Sequence, residues 1–247
     1  DAVEEINGHE MDREEIREYL GPVYDLERLM SRVSYQSANP RDMISFKTSI
    51  AMIPHIRRVL QQFSCQELQQ VYEDMDDLQD LYRVLEDAIV EDPPLAMKEG
   101  GIIKEGYNEQ IDYYRSAKTE GKNWLAQLES EEKEKTGIRN LKVKYNKVFG
   151  YYLEVTNSFK DMVPDYYTRK QTLANAERYI TPRLKELEDM ILGAEDKLSA
   201  LEYQQFVQVR NIVAHQVERI QRTAKAIAKL DAYLSLAVVA SRNQYVR

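Results

Sequence analysis

The 247 residues carry 34 Lys and Arg against 42 Asp and Glu, a formal net charge of −8, with 43% hydrophobic and 31% charged residues. Only 9 Gly and one Cys are present, which excludes turn-dense propellers and sandwiches, a disulfide scaffold and a thiolate-rich zinc site. No apolar run approaches the ~18 residues of a membrane span and no signal-peptide pattern opens the chain. A soluble, cytoplasmic protein with a sizeable core is expected, as a piece of a longer one because residue 1 is Asp.

From Asp12 to about Val90 the pattern predicts short amphipathic helices. Asp12 is placed as an N-cap with Glu15 three residues on, and Gly21-Pro22 as the stop. Asn39-Pro40 starts the next helix, with Met43, Phe46 and Ile50 on one face. Pro54 ends that helix or restarts one through Ile56, Val59 and Leu60. Ser64 is placed as the following cap, and Leu78, Leu81, Leu85 and Ile89 form an apolar stripe up to Pro93-Pro94. Residues 93–106 read as a turn-rich connection with a short strand at Gly101–Lys104.

Tyr107 to about Lys135 reads as a long helix ended by Gly137, its charged last turns (Glu129 to Lys135) projecting into solvent. Then the period changes. Apolar and basic residues alternate in Leu141-Lys-Val143-Lys-Tyr145, and alternation resumes after a turn in Tyr151-Tyr-Leu153-Glu-Val155. Tyr167–Leu173 and Ala176–Thr181 read as a second hairpin around Ala174-Asn175. From Pro182 the helical period returns. Leu184, Leu187, Ile191, Ala194, Leu198 and Leu201 form a 3,4 seam that shifts at Phe206, and the helix runs to about Val213. A last helix carries Val217, Ile220, Ala224, Ile227, Leu230 and Leu234.

The expected fold is mainly α with a small inserted β module. A helical body (1–136 and 183–247) and two long antiparallel helices carry a four-stranded antiparallel sheet (137–182) at their far end. The turns near Asn146–Phe149 and Ala174–Asn175 are expected together at the tip.

Little in the sequence suggests catalysis. His9, His55 and His215 have no second ligand at metal-binding spacing, and there is no G-x-S-x-G or G-x-G-x-x-G. Gly101-Ile-Ile-Lys-Glu-Gly106-Tyr107-Asn108 has the glycine spacing of a phosphate loop but Tyr and Asn where Lys and Ser/Thr are required. The acidic Glu73–Asp77 run lacks the Gly and terminal Glu of a calcium loop and reads as a solvated helix end. Trp124 and Cys65 read as packing residues.

Charge is the more informative signal. Between Ile138 and Arg183 there are nine Lys or Arg and four Asp or Glu, so the module is +5 and the rest of the chain −13. That distribution fits a local contact with a polyanion such as phosphate. It also fits lysines on the solvent face of an edge strand, where they discourage aggregation. Gln171, Thr172 and Asn175 add neutral donors suited to a nucleic-acid backbone. Tyr145, Phe149, Tyr151 and Tyr152 suit base stacking, but a small sheet needs them as core, and core is the expectation.

The run Leu141-Lys-Val-Lys-Tyr-Asn-Lys-Val-Phe-Gly-Tyr-Tyr-Leu-Glu-Val155 and the run Arg169-Lys-Gln-Thr-Leu-Ala-Asn-Ala-Glu-Arg-Tyr-Ile-Thr-Pro-Arg-Leu-Lys185 resemble the clamp region of the MutS family of bacterial DNA mismatch repair proteins. Asp25-Leu-Glu-Arg-Leu-Met-Ser-Arg, Ser37-Ala-Asn-Pro-Arg-Asp42, Gly106-Tyr-Asn108 and Leu230-Asp-Ala-Tyr-Leu-Ser-Leu-Ala237 extend the resemblance along the chain. It implies a fragment: a core and lever domain, discontinuous over 1–136 and 183–247, with a clamp domain at 137–182. The clamp would touch the backbone of double-stranded DNA without choosing sequence, through Lys144, Asn146, Lys147, Arg169, Lys170, Gln171 and Asn175. No catalytic, cofactor or metal site is implied within the fragment. In the longer protein the family implies a homodimer around DNA, a mismatch-reading domain, a MutL-type partner, and an ATPase using ATP and Mg, beginning near Val246-Arg247. The alternative from another class is a structural coiled-coil arm whose β tip makes protein–protein contacts.

Overall fold

The computed structural model describes residues 1–245, apart from the side chain of Lys98, so the expected passage to an ATPase domain near Val246-Arg247 lies outside the described residues. The chain divides into two compact units, one of residues 1–107 with those from Glu202 onward, the other of Asn108–Leu201.

The first unit contains α1 (Ala2–Gly8), α2 (Glu10–Leu20), α3 (Leu26–Ser34), α4 (Pro40–Ala51), α5 (Ile53–Leu60), α6 (Gln66–Asp74) and α7 (Gln79–Ala88). The later part of α9 (Pro182–Ala214) and α10 (Val217–Arg242) complete it. Asn39 and Asp42 form a reciprocal capping box at α4, with Pro40 in its first turn. Met43, Phe46, Ile50, Ile56, Leu60, Leu81, Leu85, Phe206, Val209, Ile220 and Leu230 are all buried. The helix α10 packs on α1, α3 and α6. Its Arg219 makes paired hydrogen bonds to the carboxylates of Asp76 and Asp80. Asp76 is therefore part of a structural ion pair rather than of a solvated helix end, and Thr223 Oγ1 accepts its backbone N–H.

Three local expectations are corrected here. Residues 2–8 form a helix of their own, so α2 starts at Glu10 with His9 as its N-cap; Asp12 lies inside the first turn and bonds the His9 ring. The N-cap of α6 is Cys65, not Ser64. The entry to the helix is held from α1, because Glu5 accepts from Ser64 N (2.6 Å), Ser64 Oγ (2.8 Å) and Cys65 N (2.9 Å). Desolvation raises the Glu5 pKa, but these donors outweigh it and hold the carboxyl at about 2. The strand expected at Gly101–Lys104 is a single bridge between Ile103 and Ile89, with Gly101 N–H donated to the buried Glu202 carboxylate at 2.6 Å.

The second unit is built on α8 (Glu109–Thr136) and the first part of α9. Asn108 caps α8 through Gln110 N and Ile111 N, and Gly137 ends it in the left-handed conformation that favours glycine. Pro182 opens α9, where Thr181 Oγ1 accepts the Leu184 N–H. Lys118 pairs with Glu195, and Leu125 and Leu128 share a core with Leu184, Leu187 and Ile191, so the two helices run antiparallel. Farther along the seam Leu198 and Leu201 are only half-buried.

Between the helices lie β1 (Lys142–Asn146), β2 (Gly150–Thr156), β3 (Thr168–Thr172) and β4 (Ala176–Ile180), an antiparallel sheet in the order β1-β2-β4-β3. Its inner face (Val143, Tyr151, Leu153, Val155 and Tyr179) packs on the helix pair. The charged end of α8 exposes Glu131, Glu134 and Lys135 to solvent, but it does not expose Glu132. Glu132 is 4% exposed, and its Oε2 accepts from the Tyr166 hydroxyl at 2.8 Å and the Tyr167 hydroxyl at 2.7 Å. Burial and the Glu132 charge push the Tyr166 phenol up to about 12 and Tyr167 higher still.

The helix pair approaches closely at Gly121, where a Cβ would lie 2.5 Å from Ile191 Cγ1. Alanine favours a helix over glycine by about 1 kcal/mol, but overpacking of this kind costs about 1–3 kcal/mol. Gly121→Ala is therefore expected to destabilise the second unit by roughly 1 kcal/mol net in urea unfolding. Combined with Ile191→Ala, which removes the opposing atoms, the loss should be smaller than the sum of the two single losses.

Candidate nucleic-acid interface

The sheet presents its basic residues at two places. The first is the β1–β2 turn. Asn146 pairs with Gly150 across three loop residues, Phe149 N–H bonds Asn146 O, and Gly150 adopts a φ of +76°. This is a tight turn followed by a left-handed glycine, the usual solution for a three-residue hairpin loop. The Asn146 side chain accepts the Val148 N–H at 2.8 Å and so stiffens the loop. Lys147 stands exposed on it, with no hydrogen bond or ion pair to another described residue.

The second place is β3 with its turn into β4. Arg169 is exposed and lies 3.5 Å from Glu177. A bulge follows between Arg169 and Gln171, which puts Lys170 out into solvent with no such partner among the described residues. Gln171 Oε1 accepts from Arg178 Nη1 at 2.8 Å. Asn175 is exposed in the turn, where its carbonyl accepts the Asn157 N–H.

The two turns are not together. Because β2 and β4 are antiparallel with Thr156 opposite Ala176, the β3–β4 turn lies beside Asn157, past the end of β2, whereas the β1–β2 turn lies at its start. At ~3.3 Å per residue they are about 23 Å apart along the strands. Asn146 and Lys147 thus belong to one end and Asn175 to the other, with Lys144, Arg169, Lys170 and Gln171 between. Each hairpin was legible in the sequence, but the way one hairpin pairs with the other was not.

Along the outer face the charges are organised around Glu154, which no candidate set from the sequence contained. Lys144 Nζ reaches Glu154 Oε1 at 2.6 Å, and Arg178 Nε lies 3.8 Å from Oε2. Arg178 also covers the Tyr152 ring, 4.5 Å from its centroid. The Glu154 carboxylate holds the Lys144 ammonium above its ordinary pKa. A register-aware reading would have found this, since Lys144 faces Tyr152 beside Glu154, and Arg178 faces Glu154 directly. Of the four aromatics expected in the core, Tyr152 is buried and Tyr151 half-buried, but Tyr145 is 50% and Phe149 44% exposed. They share the first turn with Val148, which is 81% exposed. The inner face is filled by residues from both helices, so this end of the hairpin is only partly covered, with the Tyr145 ring 4.9 Å from that of Tyr151. Trp124 is partly buried against the same core, and Cys65 is partly exposed.

Among the described residues no group of three or more His, Cys, Asp or Glu stands ready to hold a metal ion, and no helix is long and apolar enough to cross a membrane.

Comparison with known proteins adds a second line. Residues 106–197 match the model of MutS family domain IV, close to the bounds of the second compact unit. Over its whole length the chain is 59% identical to the DNA mismatch repair protein MutS of Lachnoclostridium phytofermentans and 55% identical to that of Caldanaerobacter subterraneus subsp. tengcongensis. Over 99% of its length it is 55% identical to the protein of the same name from Acetivibrio thermocellus. It covers 26% of the first of these relatives and 28% of the other two, so it spans about a quarter of their length.

The Lys144–Glu154 pair gives a direct check on the outer face. Glu154→Gln is expected to bring the Lys144 pKa down toward the ordinary lysine value, read by NMR titration of the side chain. Because the folded pKa is the raised one, the pair's contribution to stability is present at neutral pH. It is lost only as pH rises through and beyond the ordinary lysine range, so the unfolding midpoints of the two proteins should converge at strongly alkaline pH.

Proposed function

The chain belongs to the MutS family, and from that premise we propose that it is the core, lever and clamp portion of a DNA mismatch repair protein. In this reading residues 137–182 are the clamp and touch the duplex backbone without reading sequence. Residues 1–136 and 183–247 are the core and lever. The longer protein is a homodimer closed around double-stranded DNA, with an ATPase that takes ATP and Mg outside this stretch and a MutL-type protein as a further partner. It works in the bacterial cytoplasm, on the nucleoid when bound. This portion contributes no catalytic group: it holds DNA and passes changes in ATPase state to the clamp.

The observation that carries the reading is the contrast between engaged and available cations in the stretch Ile138–Arg183, of charge +5. Lys144 and Arg178 face Glu154, and Arg169 faces Glu177. Lys147 and Lys170, on a turn and on a bulge, are exposed with no hydrogen bond or ion pair to another described residue. Cations placed in this way meet phosphates at little desolvation cost, and their long stems adapt to a backbone rather than to one base. Asn146 lies at the Lys147 turn and Asn175 at the β3–β4 turn, about 23 Å away at ~3.3 Å per residue. The contact is thus spread over several phosphates.

One observation favours the second reading, a structural arm ending in a protein-contact tip. Val148 and Phe149 are exposed apolar residues at the very turn that carries Lys147. Salt separates the two readings, since an apolar contact survives high salt and a phosphate contact does not.

Titration of the chain into matched and mismatched duplex DNA at several salt concentrations tests the proposal. Binding should be weak, indifferent to the mismatch, and steep in salt. Lys147→Ala and Lys170→Ala should each lower the slope of log affinity against log salt by about 0.9 and weaken binding equally for all sequences. Glu154→Gln, by releasing Lys144 and Arg178 from their carboxylate, should tighten it. A change in mismatch preference with overall affinity intact would sink the backbone-contact assignment.

A further inference from the structure

The turn that carries Lys147 is fixed by a side chain outside the sheet. The β2–β4 ladder begins at Leu153↔Tyr179, so the Tyr151 N–H, two residues earlier, is beyond the last strand partner on that side. Glu188, on the second turn of α9, takes it: Oε2 accepts Tyr151 N–H at 2.5 Å, and Oε1 accepts Lys185 Nζ at 2.5 Å. Glu188 is 5% exposed. A carboxylate so buried is costly unless its oxygens are hydrogen-bonded, and here both have a donor.

The neighbouring backbone is shaped to admit it. Gly150 has a φ of +76°, and a Cβ there would stand 2.1 Å from Glu188 Oε2. Any other residue at 150 meets both a strained backbone and the carboxylate. The same plan recurs on the free edge of the sheet. Glu129 of α8 accepts Val143 N–H at 2.9 Å with one oxygen and Lys133 Nζ at 2.5 Å with the other. Desolvation works against ionising Glu129, but Lys133 and the Val143 amide outweigh it and hold the carboxyl below its ordinary pKa. Each helix thus offers one strand amide a carboxylate whose other oxygen accepts from a lysine on the same helix.

We propose that Glu188 is the positioning residue of the β1–β2 turn: through the Tyr151 amide it ties the hairpin to α9 and sets where Lys147 meets a DNA phosphate. The proposal rests on the DNA-contact reading above. Tyr151 lies at the base of the three-residue loop, only four residues beyond Lys147. Without Glu188 the amide is left unpaired in a partly buried place, and the base of the loop opens to water. The carboxylate stands on α9, so a displacement of that helix carries the loop with it.

The test uses the whole chain with Glu188→Ala and Glu188→Gln, each with and without Lys147→Ala. Affinity for a matched duplex is measured across salt, and amide exchange is followed by NMR. Glu188→Ala should reduce protection of the Tyr151 amide at least tenfold while Leu153 and Val155 keep theirs. It should lower the salt slope by about 0.9, as Lys147→Ala does alone, and adding Lys147→Ala should then cost less than about twofold more. Glu188→Gln, which keeps an acceptor oxygen, should restore most of both.

Equal losses from Lys147→Ala with and without Glu188 would overturn the positioning role while leaving DNA contact intact. Loss of protection throughout the sheet would also overturn it, in favour of general packing. Failure of the unsubstituted chain to bind duplex at low salt would instead overturn the DNA-contact reading. The Tyr151 exchange would then still decide whether Glu188 holds the turn.

Discussion

Every backbone N–H that a strand end or loop leaves unpaired must find an acceptor, and in this protein the acceptor is repeatedly a carboxylate standing on a helix. Glu5 serves Ser64 and Cys65, Glu202 serves Gly101, Glu129 serves Val143 and Glu188 serves Tyr151. Strands of five to seven residues make too small a sheet to stand alone. Here they are completed along one face by apolar side chains of the helix pair and at two amides by its acids. Helix pair and sheet are one folding unit for this reason, and the family domain and the compact unit have nearly the same bounds.

The same economy explains Glu132. A carboxylate 4% exposed needs strong donors, and two adjacent tyrosine hydroxyls supply them. The connection from β2 to β3 is thereby anchored to the last turns of α8. An acid-rich helix end, which composition suggests should face water, becomes an attachment point. Charge on a helix face is solvated only where nothing nearby offers a hydrogen-bond donor, and here the donors come from more than thirty residues away in the chain.

What was legible in the sequence divides along that line. Features decided within a few residues were visible: the Asn39–Asp42 capping box, the Gly137 stop, the alternation of β1 and β2, and the turn at Ala174-Asn175. Features decided by distant partners were not. Ser64 looked like a cap because its own neighbours are helical, yet its acceptor stands 59 residues earlier. Both hairpins were visible, but the pairing of β2 with β4 follows no local signal, and that pairing sends the two turns to opposite ends. For the candidate contact residues, the sequence supplied residue types and clustering. Whether a lysine is available depends on cross-strand neighbours, so Glu154 stayed invisible until the register was known, and Glu188 until the packing of α9 on the sheet was known.

Net charge is therefore a poor guide to what a module can hold. Of the cations behind the +5 sum, Lys144, Arg169 and Arg178 on the strands lie near acids of neighbouring strands, while Lys147 on the turn and Lys170 at the bulge extend outward. Strand register enforces this partition. Residues within a ladder face fixed neighbours, and like charges there would repel, so acids stand opposite or diagonal to the bases. A turn or a bulge has no cross-strand neighbour, and a lysine placed on one meets no such requirement. A surface meant to grip a phosphate backbone while remaining a stable sheet is thus driven to carry its available charge where the ladder is interrupted. At the β1–β2 turn the interruption is held by the left-handed Gly150 and by Glu188, which accepts the next amide, that of Tyr151.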